Sequence, residues 1–583
     1  MLPREIGQLT KLKRLDLRYC SRLKRIPPGV FCKLSRLEEL SIGDSFVEWG
    51  AEGHSSQQSN SSLAELKALS CLTTLEIRIP NAKIIPKGFS FEKLQRYIIF
   101  IGEASHWDWN WYWVAEYSRT LKLSLQTSIS FLNDDVKVLL KKAENLFIDD
   151  VKGVEILLHE SEVGNYFQQV KNLHIQNGGM IQYIFKDIDD VHKIEFLQLQ
   201  SLTLKGLPNL ISFCSTNKGS TSISPQEIAL FKQKILFPKL EKLKLSSIGI
   251  ERIWISQAFC STQNLTSLIV EGCTNLKHVL SDSMAEYLQQ LKCLEISDCK
   301  CIQEIISTDK IIQETSKSRA LIRFPRLNFL KLKGVQKLIR ICHEDYTVDF
   351  PALTVLEIEN CPELTGFIHN SMRKDIPTHE VLFNNKVALP NLEKITISHL
   401  RNVKRIWYNQ LHTNSLSMLK ELTVKECDSL LNIFSPFLLR VFQRLEKLML
   451  TNCASQEEVF QLQMQELDIE ETYVIDSQLR EMSLICLPKL KHVWTKDHKG
   501  KFSFESLQQV RIQQCWSLKA LFPFSIAKDL QQLKRLAIAS CGLEEIVSKS
   551  VEESDLQEIR FAFNQLSFLK LWFLPYLTYF YPA

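Results

Sequence analysis

Aliphatic residues recur along the chain in a fixed frame, L-x-x-L-x-L, with polar residues between them. The alternating part of the frame is typical of a short β-strand, because successive side chains of a strand point to opposite faces. One copy reads LTVLEIENCPELTGF over residues 353–367. The pattern predicts that five residues of this copy point inward: Leu353, Leu356, Ile358, Cys361 and Leu364.

Similar frames begin at positions 240, 265, 291, 327, 353, 392, 419, 445, 479, 507, 533 and 566. Most steps between them are 25 to 28 residues, and a frame of this kind at such spacing is the signature of leucine-rich repeats. We therefore predict an α/β fold, a leucine-rich-repeat solenoid. Parallel strands are expected on the concave face of a curved horseshoe, with short helices and irregular segments on the convex face.

A longer period of 87 residues lies over the first, because the frames that lack cysteine begin at 240 and 327, at 392 and 479, and at 479 and 566. This pattern divides the chain into irregular N-terminal repeats, residues 1–235, and regular repeats, residues 236–583. Within the first part, residues 95–165 are only loosely periodic. The solenoid is expected to continue through them.

Cysteine occupies the ninth position of many frames. The eight residues concerned are Cys20, Cys273, Cys299, Cys361, Cys427, Cys453, Cys515 and Cys541. Other frames place Ile248, Val335, Leu400, Leu487 and Leu574 in the same position. Because the position alternates between cysteine and aliphatic residues, it is predicted to be a buried apolar slot filled by free thiols.

Between some frames the spacing of apolar residues changes to three and four, which is typical of a helix. Residues 281–294, 435–448 and 523–536 begin with serine or proline and are predicted to form helices on the convex side. Aromatic residues close several frames and are predicted to be packing wedges in the core: Phe213, Trp254, Trp407, Trp494 and Phe580.

The composition, with 45% apolar and 23% charged residues, is that of a globular chain. A net charge of only +5 over 583 residues argues against nucleic acid as the partner. No window reaches the roughly 20 apolar residues that span a bilayer, and residues 1–15 contain no apolar run of signal-peptide length. We expect a cytoplasmic protein without a membrane span.

No catalytic or metal-binding motif stands out in the sequence. His residues form no H-E-x-x-H, and no serine lies in G-x-S-x-G. The tightest cysteine group, Cys293, Cys299, Cys301 and Cys342, lacks paired C-x-x-C spacing. The expectation is a protein that is not an enzyme and that binds no cofactor and no metal.

The stretch HWDWNWYWV, residues 106–114, carries four alternating tryptophans. On a strand, all four would line one face. We favour a stripe that is buried over an irregular repeat junction, and the open alternative is an exposed aromatic anchor for a partner.

The segment LPREIGQLTKLKRLDLRYCSRLKRIPPGVFCKLSRLEELSIGDSFVEWGAEG, with FPKLEKLKL and NLKHVLSDSMAEYLQQLKCLEISDC further on, resembles the leucine-rich-repeat region of plant disease-resistance proteins of the coiled-coil, nucleotide-binding class. The resemblance covers essentially the whole chain. It implies a non-catalytic sensor and autoinhibitory part of an intracellular immune receptor. Its partner would be a pathogen effector, a guarded host protein or the receptor's nucleotide-binding module.

The chain departs from that class in one respect, since it contains no G-x-x-x-x-G-K-[ST] phosphate loop. Any nucleotide-binding module would therefore have to be supplied by a longer isoform or by another chain. Residues 1–9 begin inside a return segment and neither end carries a polar cap, which leads us to expect part of a longer receptor.

Two other classes remain open from the sequence. The substrate-binding arm of an F-box ubiquitin-ligase adaptor also uses cysteine-bearing repeats, but no F-box segment precedes the frames. A secreted receptor ectodomain would need a signal peptide, cap cysteines and a membrane span.

The recognition surface is predicted from strand alternation, which points the residues between the inward leucines toward the concave side. An acidic protein surface is the expected partner, with Phe568 and Trp572 as anchors. The predicted contact residues are Lys242, Lys244, Lys331, Lys333, Lys394, Lys447, Arg511, Arg535, Phe568, Lys570 and Trp572. Glu357, Glu359, Glu421 and Glu481 interrupt the basic stripe, so its field is mixed.

Overall fold

A computed structural model of the chain describes residues 1–43, 45, 48–50, 60–86, 88–102, 119–124, 129, 132–159, 166–186, 194–215, 229–231, 235–255, 262–308, 320–368, 381–407, 415–434, 436–462, 475–495, 502–548 and 563–581. Its internal contacts group the chain into two compact units, Met1–Leu265 and Thr266–Ala583. The predicted division at residues 235 and 236 concerns the regularity of the repeats and stays a prediction.

The first unit contains a ladder of parallel strands, each taken from one repeat. Its members are Arg14–Asp16, Glu39–Gly43, Thr74–Ile79, Arg96–Ile101, Arg119–Ser124, Asn145–Asp149, Asn172–Gln176, Ser201–Leu207 and Lys242–Ile248. Three of these strands lie in the loosely periodic residues 95–165, which confirms that the repeats continue there.

The second unit contains the same kind of parallel ladder. Its strands are Ser267–Glu271, Cys293–Ser297, Phe329–Lys333, Val355–Glu359, Lys394–Ser398, Glu421–Lys425, Lys447–Thr451, Glu481–Ile485, Gln509–Gln513, Arg535–Ala539 and Phe568–Trp572. Each strand covers the alternating part of one frame, so the predicted period and register are confirmed.

The core lies on the inner side of each ladder, where the frame leucines stack from repeat to repeat. Leu353, Leu356, Ile358, Cys361 and Leu364 are all fully buried, as predicted. The physical reason is the two-residue period of a strand, which places every second side chain on the same face. Parallel pairing without register shifts in the second unit keeps equivalent residues of successive repeats in contact.

Short strands that lie between the ladder strands in the sequence form a second set of parallel pairings. They are Ile156–His159, Tyr183–Lys186, Ile194–Glu195, Ser212–Cys214, Ile235–Leu236, Leu280–Ser281, Ile306–Ser307, Ala320–Arg323, Tyr346–Asp349, Val381–Phe383, Val387–Ala388, Arg405–Trp407, Asn432–Phe434, Glu458–Phe460, Ile475–Asp476, His492–Trp494, Phe502–Ser503, Ala520–Pro523 and Glu545–Ser548.

Aromatic side chains from these short strands stack in the core. Phe383 stacks on Trp407 with ring centroids 5.6 Å apart, and Phe460 stacks on Phe434 at 5.2 Å and on Trp494 at 5.9 Å. The packing-wedge interpretation is confirmed for the buried Phe213, Trp254, Trp407 and Trp494, while Phe580 is half-buried.

The three predicted helices are present but shorter than expected. They span Asp282–Tyr287, Pro436–Val441 and Phe524–Ala527, and a fourth helix, which the pattern missed, spans Asp134–Lys142. The predicted ends were wrong because the last residues of each stretch begin the next frame, and these residues turn toward the next strand. Single-turn or slightly longer 3₁₀ segments occupy Arg4–Gln8, Phe31–Lys33, Leu63–Ala68 and Ala82–Ile84.

The residue after most ladder strands adopts a left-handed backbone. Gly334 (φ +62°), Asn360 (φ +53°) and Phe573 (φ +52°) occupy this position in three frames. Glycine and asparagine tolerate this conformation best, which explains their recurrence there. The sequence contained this signal, and our pattern did not use it.

The cysteine slot is buried in seven of the eight frames. Cys273, Cys299, Cys361, Cys427, Cys453, Cys515 and Cys541 are covered, whereas Cys20 is exposed. The prediction was wrong for Cys20 because its strand, Arg14–Asp16, has one neighbouring strand among the described residues. Leu574 is half-buried for the same reason at the strand Phe568–Trp572.

Together, the parallel ladders, the short return strands and the few short helices confirm the α/β leucine-rich-repeat fold.

Candidate functional site

The outward-pointing residues of the ladder strands in the second unit form a continuous surface, here called the ladder face. Because the leucines of each frame point inward, the first, third and fifth residues of each strand point outward. Nine of the eleven predicted contact residues lie on this surface. Lys242 and Lys244 lie at the equivalent positions of Lys242–Ile248 in the first unit, where Lys242 is exposed and Lys244 is half-buried.

The predicted lysines in the middle of the ladder face are paired with glutamates. Lys331 Nζ lies 3.2 Å from Glu357 Oε2, and Lys333 Nζ lies 3.9 Å from Glu359 Oε2. The register places each glutamate directly opposite its lysine on the following strand. The hydrogen bond to Glu357 is the largest influence on Lys331 and raises the pKa of its ammonium group.

The same arrangement recurs further along the face. Lys394 Nζ lies 3.3 Å from Glu421 Oε2, and Lys447 Nζ lies 3.3 Å from Glu481 Oε2. We call the strands from Phe329–Lys333 to Glu481–Ile485 the paired segment. The glutamates that seemed in the sequence to interrupt the basic stripe are therefore partners of its lysines.

A second row of ion pairs flanks the paired segment with the opposite order of charges. Glu393 and Lys420 are 3.1 Å apart, and Glu446 and Arg480 are 3.9 Å apart. Acidic and basic side chains therefore alternate both along each row and between the rows. Such exposed pairs are worth little individually, and their charges largely cancel toward an incoming partner.

The last three ladder strands differ from the paired segment. Arg511 donates to Gln513 Oε1 at 3.1 Å, and the Arg535 guanidinium lies 4.4 Å from the centre of the Phe568 ring. Lys570 faces Ala537 across the ladder. Within the described residues, no carboxylate lies at ion-pair distance from these three cations.

We call Arg511, Arg535, Phe568, Lys570 and Trp572 the terminal patch. Trp572 is 59% exposed and Phe568 is 38% exposed, and the Lys570 ammonium lies 5.7 Å from the Trp572 ring centre. Exposed aromatic residues beside cations are typical of interaction hot spots. The structure thus separates two groups of predicted residues that the sequence had treated as one.

The first unit carries a polar row on its ladder that the sequence reasoning missed. Asn172 Nδ2 donates to Asn145 Oδ1 at 2.6 Å, and Asn145 Nδ2 donates to Thr120 Oγ1 at 3.1 Å. The signal was a polar residue directly before the first inward leucine of successive strands. Next to this row, burial lowers the pKa of His174.

Two of the buried thiols are held in their protonated form by burial. Burial raises the pKa of Cys361 and of Cys427 to about 12, so both stay protonated at neutral pH. Among the described residues, no group of three His, Cys, Asp or Glu side chains is placed to hold a metal ion. The tryptophan stripe, residues 107–113, lies outside the described residues.

No helix among the described residues is long and apolar enough to cross a membrane.

The geometry defines a class of protein: a leucine-rich-repeat scaffold whose outward side chains form an extended surface on a fixed core. Within this class, the family of leucine-rich repeats described as plant disease resistance protein RPS2-like matches residues 239–383 and 391–542. The matched residues are slightly more than half of the chain, and the chain belongs to this family.

Two curated relatives from Arabidopsis thaliana are similar to the chain. The probable disease resistance protein At4g27220 is 23% identical over 359 residues, which cover 59% of this chain and 33% of the relative. The disease resistance protein At4g27190 is 23% identical over 373 residues, which cover 62% of this chain and 32% of the relative. The chain thus spans about a third of the length of the curated relatives it matches.

Two solved structures match the chain at low similarity. The leucine-rich-repeat protein LIC12759 of Leptospira interrogans is 16% identical with a TM-score of 0.30, covering 73% of this chain and 91% of that one. The plant peptide hormone receptor RGFR1 in complex with RGF2 is 14% identical with a TM-score of 0.27, covering 94% and 89%. Such TM-scores reflect a poor overall superposition, so the fold assignment rests on the ladders and the family.

Proposed function

We propose that this chain is a non-catalytic, protein-binding repeat region that acts in the cytoplasm in plant defence. Membership of the disease-resistance family supports this role. In this proposal, the partner is a pathogen effector, a guarded host protein or a nucleotide-binding module supplied in trans. The relatives' coverage supports the idea that the repeats operate with further protein modules, since the chain matches only a third of each.

The observation that carries the binding proposal is the contrast in charge pairing on the ladder face. All the predicted basic and aromatic residues remain candidates, but those of the paired segment already have carboxylate partners. The terminal patch offers cations and exposed rings without such partners among the described residues. An acidic protein surface would gain most at this patch, because it need not displace an existing ion pair.

A titration with neutralising variants tests the proposal. The binding probe is the remainder of the Arabidopsis relative At4g27220, expressed without its matched stretch, and affinity is measured at low and high salt. The triple variant Arg511→Gln, Arg535→Gln, Lys570→Gln is expected to weaken binding about tenfold and to reduce its salt dependence.

The matched control removes three cations from the paired segment: Lys331→Gln, Lys333→Gln and Lys394→Gln. This control is expected to change affinity by less than about twofold, because each lysine is already neutralised by a glutamate. An equal loss in both triple variants would remove the special role of the terminal patch. Loss only in the control would move the binding site to the paired segment.

A further inference from the structure

Ala537 is a small outward residue of the ladder face with a cation opposite it on either side. Its strand, Arg535–Ala539, pairs with a strand at both edges, so Ala537 lies in the interior of the ladder. The register places Arg511 directly opposite Ala537 on the preceding strand and Lys570 directly opposite it on the following strand. Both cations are exposed, and Ala537 is half-buried.

Arg535 adds a further cation two residues before Ala537 on the same strand. Successive outward side chains of one strand are about 7 Å apart, and neighbouring strands are about 4.8 Å apart. The long side chains of all three cations can therefore reach a group that lies on the outward side of Ala537. Room for such a group exists there, because Ala537 and Ala539 present only methyl groups to this face.

The contacts of the two arginines leave them donors for an anion. The Arg535 guanidinium lies over the Phe568 ring, and a guanidinium group in this position keeps N–H groups at its edge. Arg511 donates to Gln513 Oε1 at 3.1 Å and has further N–H donors. Within the part of the chain that the structure describes, no carboxylate lies at ion-pair distance from either arginine or from Lys570.

The paired segment shows what the chain supplies elsewhere at the equivalent position. Lys331 lies in register opposite Glu357 and bonds to it at 3.2 Å. Arg511 instead has Ser483 and Ala537 in register on its two sides. The two strands beside Arg511 thus place no counter-charge in register with it, and an anion from outside the chain can supply one.

The number of cations favours a doubly charged group. A carboxylate balances one positive charge, whereas a phosphorylated side chain carries about −1.5 to −2 at neutral pH and has three acceptor oxygens. Guanidinium groups bind such oxygens through paired, charge-assisted hydrogen bonds. We propose that Arg511, Arg535 and Lys570 bind the phosphoryl group of a phosphorylated residue of the partner protein on the outward side of Ala537. This inference rests on the proposed protein-binding function and names the group that the terminal patch recognises.

Three short fluorescent peptides, titrated with the full chain at low salt, test the inference. They share a neutral glycine frame and carry phosphoserine, glutamate or serine in the middle. The phosphoserine peptide is expected to bind about tenfold more tightly than the glutamate peptide, because it accepts additional charge-assisted hydrogen bonds. The serine peptide is expected not to bind.

Equal affinity of the phosphoserine and glutamate peptides, or no detectable binding of the phosphoserine peptide, would overturn the inference. Either result would leave the acidic-surface proposal standing, because that proposal is tested with the At4g27220 probe. Displacement experiments identify the source of the phosphoryl group. Unlabelled phosphoserine peptide is expected to displace the fluorescent one at lower concentration than inorganic phosphate, and equal potency would assign the site to free phosphate.

A carboxylate built into the site should compete with the ligand. Ala537→Glu places an acidic side chain between the cations, as Glu357 stands beside Lys331, and is expected to weaken binding of the phosphoserine peptide at least about tenfold. Ala537→Gln adds the same bulk without the charge and is expected to lose clearly less. Equal losses in the two variants would contradict recognition by charge.

Thr423→Glu is the matched control for added charge. Thr423 occupies the same outward row as Ala537, four ladder strands earlier. The variant is expected to change the affinity for the phosphoserine peptide by less than about twofold, because salt screens charges at that separation. Circular dichroism checks that all three variants are folded. A loss as large as that of Ala537→Glu would show that only the net charge of the face matters, which would overturn the site.

Discussion

The two copies of FLKL, residues 329–332 and 568–571, show how neighbours change the role of one sequence. Both form ladder strands with the leucines turned toward the core side. In the first copy, Leu330 and Leu332 are buried and Lys331 is bonded to Glu357. In the second copy, Leu569 and Leu571 are exposed, and Lys570 lies over a tryptophan ring.

The difference teaches that the repeat frame specifies a strand but leaves its surroundings to the next repeat. A strand in this fold has two edges, and each edge is completed by a separate stretch of chain. Where both edges are covered, the apolar side chains are buried and the charged side chains form ion pairs within the chain. Where one edge has no neighbouring strand among the described residues, the same side chains are exposed.

The largest expected effect comes from burying a charge at the matched leucines. Leu330→Asp should lower the free energy of unfolding by several kcal/mol, because the carboxylate would lie in the core without a partner. Leu569→Asp should cost much less, since the side chain can reach water. Urea unfolding followed by circular dichroism measures both, and equal losses would contradict the comparison.

A smaller effect on stability is expected at the residue with positive φ that follows each FLKL strand, Gly334 in the first and Phe573 in the second. Gly334→Ala should cost about 1–2 kcal/mol, because a Cβ would lie 2.4 Å from Asp298 Oδ1 and φ is +62°. Asn360→Gly is the control and should be close to neutral, as both residues accept this backbone. At Phe573, glycine should be neutral or stabilising, because the aromatic side chain is exposed. Thermal unfolding compares the three variants.

The ion pair of the first copy should be measurable and have no counterpart in the second. A double-mutant cycle with Lys331→Met and Glu357→Gln should give a coupling of about 0.2–1 kcal/mol that falls with added salt. Lys570→Met and Ala537→Gln, the matched pair, should be additive. Coupling of similar size in both cycles would show that pairing does not distinguish the regions.

The smallest effect is expected in the cysteine slot, which is the same in both regions. Cys427→Val in the paired segment and Cys515→Val in the terminal strands should each change stability by less than about 0.5 kcal/mol, because an apolar residue of similar size is retained. Val335 already fills the equivalent position of another frame. A large loss in one variant alone would show that the two cores differ as well as the two surfaces.

Much of the fold could be predicted from the frame. The inward positions of residues 353–364, the seven buried cysteines and four of the five aromatic wedges followed from period and alternation. The helix ends did not, because residues such as 288–294 satisfy a helical spacing and a strand frame at once. Hydrogen bonding to the neighbouring repeat decides between the two.

The candidate site was predicted only in part. Alternation places Lys331, Lys394 and Arg535 on the outward side, and the structure has them there. Whether a cation is neutralised depends on the residue that is paired with it in register on the next strand. That residue lies 26 positions further along the sequence for Lys331 and 27 for Lys394. Insertions between the frames make this offset variable, so the pairing could not be read with certainty from spacing alone.

By itself, the sequence determined that this chain folds as leucine-rich repeats. Short stretches of two-residue alternation recur mostly every 25 to 28 residues, and a parallel ladder of strands buries the leucines of all of them on one side. It also determined which side chains of each strand point away from the core. Only the tertiary structure decided which apolar side chains are buried and which charged side chains are ion-paired. Cys20, Lys570 and Leu569 have the same local sequence features as buried or paired residues elsewhere, but their strands lack a neighbour on one side among the described residues. Burial and charge pairing are properties of two adjacent repeats, and one repeat cannot encode them.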